Sequence, residues 1–142
     1  MNSVEHLHQH VIDLEDYEVA ADALSALQKR DSALAERLAL DIITQKQGDP
    51  HFQAFAFDTL YAVNLQAGIA LIRNPSPDLS ATVLAAMIEC VAEDVGIAQE
   101  TPDILGAVDS LKVLINRLSP DEAKRIGETI AWFRQTYPDG KP

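Results

Sequence analysis

Cysteine is almost missing from this chain. Cys90 is the single one, which excludes an internal disulfide and the common cysteine-based zinc sites. It falls among Val83, Met87 and Val91, so a buried, inert thiol is expected. Aromatic residues are also scarce, at 6% against 47% for all apolar residues, so the core must come from Ala, Leu, Ile and Val, as in packed helices. Period-two alternation is sustained nowhere, which argues against strands. No apolar run approaches the roughly 20 residues that span a bilayer. The first residues, Met1-Asn2-Ser3-Val4-Glu5-His6, have neither the basic nor the apolar region of an export signal. A cytoplasmic location without a membrane partner is the expectation. A Gly-rich phosphate loop, a nucleophile elbow and a zinc signature are absent as well, so neither catalytic residues nor a cofactor or metal is expected.

Lys and Arg are missing from two long stretches. Residues 1–28 hold six acids and neither cation. Between Asn74 and Leu111 stand seven acids (Asp78, Glu89, Glu93, Asp94, Glu100, Asp103 and Asp109) and again no Lys or Arg. The net charge is −11 with a pI near 4.6. Nucleic acid has the wrong sign to be a partner, whereas a basic protein is electrostatically favoured. Solubility alone is the competing reason for such acidity. With 142 residues the chain is read as one domain over 1–137, followed by a loose tail at 138–142.

What the chain has in quantity is helical punctuation. Asp49-Pro50, Ser76-Pro77-Asp78, Thr101-Pro102-Asp103 and Ser119-Pro120-Asp121 each set a capping side chain before a proline. The cap oxygen satisfies an orphan amide of the first turn, and proline at the first helical position loses no hydrogen bond. These prolines recur at 27, 25 and 18 residues, which suggests stacked helical hairpins. Helical spacing predicts helices over 3–12, 16–29, 32–46, 50–63, 65–73, 78–95, 102–117 and 120–137. In the last, Ala123, Ile126, Ile130, Phe133 and Tyr137 form one apolar stripe, opened by a Ser119/Glu122 capping box. In 102–117 the stripe is Ile104, Val108, Leu111, Ile115 and Leu118. In 78–95 the apolar positions cover about half the circumference, as in a helix packed on two sides. Its narrow exposed strip holds Thr82, Glu89 and Glu93. On helix 50–63, Phe52 and Phe55 belong to the core side, with Phe57 and Tyr61 offset.

The segment from Asp49 to Val63 resembles the first helix of a HEAT repeat. Asp49, Pro50, Phe52, Ala56, Leu60 and Val63 fit that family's pattern, while Gln53 stands where Arg is usual. A weaker echo runs through Ser76, Pro77, Leu79, Val83, Ala86 and Cys90. The resemblance covers about residues 31–118 and its spacing is shorter than the roughly 40–47 residues of regular units. It implies an all-α, short HEAT-like α-solenoid of antiparallel helical hairpins, about 7–8 helices in all, in which neighbours stack and leave a surface for a partner. The tetratricopeptide alternative lacks its Trp, Leu-Gly and Tyr signature. Small, acidic HEAT-like chains resemble bacterial immunity proteins, which bind a cognate toxin domain, often a basic nuclease, and block it. Secretion or assembly chaperones are the alternative from another class, and a small metal-dependent enzyme is the third.

The residues expected to meet such a partner are Thr82, Glu89, Glu93, Asp94, Glu100, Asp103 and Trp132. Glu89 and Glu93 are one turn apart, a like-charge pair that costs an isolated helix a few tenths of a kcal/mol and that a cationic partner would relieve. Helical geometry points Trp132 away from Ala123, among Lys124, Arg125, Glu128 and Gln135, where a large flat side chain is a candidate hot spot. His6-Leu7-His8-Gln9-His10 invites a metal reading, since His6 and His10 are at i, i+4 and Glu5-x-x-His8 is half of a di-iron motif. No second Glu-x-x-His follows, so the cluster is read as free surface histidines.

Overall fold

The computed structural model of the chain describes residues 3–12, 16–75, 79–97 and 102–136, with side chains throughout these except at 94–97 and 102–104. All regular structure among them is helical. The elements are α1 (Val4–Ile12), α2 (Tyr17–Arg30), α3 (Ser32–Thr44), α4 (Pro50–Val63), α5 (Leu65–Arg73), α6 (Ala81–Ile97), α7 (Pro102–Asn116), α8 (Pro120–Arg125) and α9 (Gly127–Thr136). The chain forms two compact units, Met1–Gly68 and Ile69–Pro142. The expected loose tail at 138–142 lies outside the described residues, as do the Ser76 and Thr101 caps.

In Met1–Gly68, α2 packs against α1, α3 and α4, and α3 packs against α4. Each helix start is fixed by a short polar side chain. Asp16 accepts from the amides of Glu18 and Val19, Asp31 from Leu34, Asp49 from Phe52 and Asn64 from Ala67. Asp31 is the whole connection between α2 and α3: its own amide also donates to the Leu27 carbonyl at 2.7 Å, closing the helix before it. Asn64 likewise joins α4 to α5, and its side-chain amide donates to Glu36 on α3 at 3.2 Å.

Helix α4 is the centre of this unit. Phe52, Gln53, Ala56, Phe57, Thr59, Leu60 and Tyr61 are all buried, an arc of about 200° at 100° per residue. Phe57 is therefore core and not offset, whereas Phe55 sits at the edge of the arc and is half-buried. The sequence reading placed these two the other way round because it assumed a one-sided stripe. The buried polar groups are satisfied: Gln53 donates to the Gly48 carbonyl at 3.0 Å and Thr59 to the Phe55 carbonyl at 3.2 Å. Gly48 has φ +76°, and a Cβ there would lie 2.8 Å from the Phe52 ring and 3.2 Å from that of Tyr17. Those two rings stack at 5.6 Å over the turn. Glycine is required on both grounds.

In Ile69–Pro142, α6 packs against α7, α8 and α9. Its first turn is three residues later than the spacing around Ser76-Pro77-Asp78 predicts. Leu79 and Ser80 are not helical, and Ser80 caps the helix by accepting from the Val83 amide at 3.2 Å. A short polar side chain immediately before the apolar run thus provides the cap of α6. Of the expected α7 stripe, Val108, Leu111 and Ile115 are buried, with Ala107 beside them; Leu118 is half-buried beyond the end of the helix, and the side chain of Ile104 lies outside those described.

The predicted last helix, 120–137, is two. The Ser119/Glu122 capping box forms at both of its hydrogen bonds, 3.2 and 3.1 Å. Ile126 then leaves helical geometry (φ −112°, ψ 27°), and its amide reaches the Glu122 carbonyl only at 3.4 Å. Gly127, a poor helix former, opens α9 next. Ile130 and Phe133 on α9 are buried, while Ala123 and Ile126 are only half-buried. An apolar stripe in the sequence runs on across a break in the backbone.

Candidate acidic interface

The burial pattern of α6 isolates its polar residues. Ala81, Val83, Leu84, Ala86, Met87, Ile88, Val91 and Ala92 are buried. Thr82, Ala85, Glu89 and Glu93 are not, and at 100° per residue these four fall within about 80° of one another. The strip runs the length of the helix's described side chains. Glu89 and Glu93 are fully in the exposed class, and Thr82 is half-buried. Among the described side chains of α6, these two carboxylates are the fully solvent-facing ones. Cys90 lies at the margin and is half-buried, where burial was expected.

The remaining candidates are placed less completely. Asp94 is on α6 and Asp103 on α7, with side chains outside those described; Glu100 lies outside the described residues altogether. Trp132 is on α9, which packs against α6, and is 39% exposed. Because α8 ends at Arg125, Lys124 and Arg125 do not continue the helix that carries Trp132, so their grouping with it on one helical face is withdrawn.

Helix α7 adds three exposed residues to this unit, of which only Asp109 was singled out by the sequence, as part of the acid-only stretch. Asp109 adds a carboxylate, and Leu105 and Val113 are 43% and 49% exposed. The signal was available: both apolar residues fall off the stripe of Val108, Leu111 and Ile115. Between α7 and α9 a shallow cleft lined by Lys112, Ile115, Asn116, Phe133 and Arg134 encloses about 190 Å³, open solvent included.

Among the described residues no group of three or more His, Cys, Asp or Glu side chains is arranged to hold a metal ion. No described helix is long and apolar enough to cross a membrane. The arrangement is that of a surface for contact: paired carboxylates on a rigid helix, an exposed indole in the same unit, and apolar side chains nearby in sequence on α7. No family model, curated protein or solved structure matches the chain.

Proposed function

We propose that the chain is a cytoplasmic bacterial immunity protein, a HEAT-like solenoid of antiparallel hairpins that neutralises a basic toxin domain by occluding its active surface. It carries out no catalysis and needs no cofactor. The observation that carries the reading is the α6 strip, where Glu89 and Glu93 are the exposed residues among the described side chains of a mostly buried helix. A like-charge pair on a helix that rigid is poorly placed for its own stability and well placed for cations of a partner. Asp94, Glu100 and Asp103 extend the charge along the chain, and Trp132 supplies an aromatic anchor of the type found at hot spots. The stretch from Asn74 to Leu111 carries seven acids and no Lys or Arg, which favours a partner of positive charge.

A growth-rescue assay tests this. The product of the gene adjoining this one, expressed alone, is expected to arrest a bacterial host, and co-expression of this chain to restore growth. Glu89→Lys together with Glu93→Lys is expected to abolish the rescue while leaving the thermal midpoint unchanged. Rescue undiminished by the double reversal would remove this face from the proposal, and a harmless neighbour would remove the toxin. The chaperone alternative draws on Leu105 and Val113, whose exposure on α7 suits an extended apolar segment. It differs in binding an unfolded partner better than a folded one.

A further inference from the structure

His6 and His10 do not stand apart as free surface side chains. Their ring centroids are 4.5 Å apart, with ring planes at 71°. Two imidazoles that ligate one ion at about 2.0–2.1 Å bring their ring centres to about 4.5 Å at a right angle, and to about 5.2 Å at the tetrahedral angle. We propose that His6 and His10 form a two-imidazole site for a divalent transition-metal ion of the nickel and copper class, with water in the remaining positions.

The backbone beneath the pair is fixed. Ser3 caps α1, accepting from the His6 amide at 3.1 Å, and its carbonyl accepts from Leu7 at 2.9 Å. Leu7 and Val11 are buried, and α1 packs against α2, so the rotation of the helix about its axis is set by its core face. His6 and His10 therefore stay one turn apart on a common face without a further ordering cost. His6 is exposed and His10 half-buried, so the pair is open to an ion from solvent. His8 points about 160° or more away from both and cannot join them. Glu5 in the first turn offsets the positive end of the helix dipole, and the six acids with no Lys or Arg in residues 1–28 favour a cation at this end of the chain. Imidazole nitrogen suits nickel, copper and zinc, and nickel and copper accept two such ligands with water completing the shell. The site belongs to Met1–Gly68 and does not rest on the proposed function, whose strip belongs to Ile69–Pro142.

Titration calorimetry of the full chain with nickel chloride tests the site. One Ni²⁺ per chain is expected, with affinity lowered at least about tenfold by His6→Gln or by His10→Gln and unchanged by His8→Gln, because the second imidazole binds intramolecularly. Saturating Ni²⁺ is expected to raise the thermal midpoint of the wild type and of H8Q, and not of H6Q/H10Q, since chelation requires the folded helix. The proposal fails if the wild type takes up no Ni²⁺, if H8Q loses as much affinity as H6Q, or if H6Q/H10Q retains the site. Helical circular dichroism of each variant separates loss of the site from loss of the fold.

Discussion

Gly48 shows how much one position can be asked to do. Its φ of +76° lies where a side chain is penalised, its would-be Cβ meets the Phe52 ring, and its carbonyl accepts a hydrogen bond from the side-chain amide of buried Gln53. Gly48→Ala is expected to lower stability by roughly 2 kcal/mol, measured by denaturant unfolding with the slope unchanged. The fully buried Phe57 gives a second measure of the same region. Phe57→Ala is expected to cost about 3–5 kcal/mol, and Phe55→Ala clearly less, because only the first leaves a closed cavity. Residue by residue, the caps at Asp49 and Ser119 were legible in the sequence, since a short polar side chain before proline has one local use. The relative burial of Phe55 and Phe57 was not, because it depends on α4 being covered by both α2 and α3, which no local pattern records.

At the scale of elements, six helix ranges are legible in the sequence to within two residues, and the two misreadings have a shared origin. Periodicity reports which side chains want burial and is silent on whether the backbone is continuous. The stripe through Ile126, Ile130 and Phe133 thus hid the break between α8 and α9. Ser80 was passed over because the Pro77 phrase upstream has the same form as a true start. Gly127 offers a check on the break. A Cβ there meets nothing within 4 Å, so Gly127→Ala is expected to stabilise the protein by about 0.5–1 kcal/mol in thermal unfolding. A destabilisation would mean that the break itself is needed for α9 to reach α6. The α6 strip was the most legible part of the candidate site, because a wide apolar arc leaves a narrow remainder whose residues can be named in advance. Leu105 and Val113 are exposed for the opposite reason: they fall off the α7 stripe, and no pattern among the apolar residues marks what lies outside a stripe.

For the molecule as a whole, charge is segregated along the chain. All 11 Lys and Arg residues fall within 29–73 and 112–141, leaving 1–28 and 74–111 purely acidic. Association with a basic partner through the α6 strip is expected to slow as salt rises from about 0.01 to 0.15 M, where the screening length falls from about 30 to 8 Å. In the Glu89→Lys, Glu93→Lys variant, the association rate measured by stopped flow is expected to lose that salt dependence, with stability within about 0.5 kcal/mol of the wild type. A different kind of integration follows from Asp31. One residue closes α2 with its amide and opens α3 with its carboxylate, so neither end can fray without releasing the other. The amides of Asp31, at the joint, and of Leu34, in the first turn of α3, should exchange with deuterium together and slowly, like the interior of a single element. What looks like a joint in the chain would then behave, in time, as one of its stiffest places.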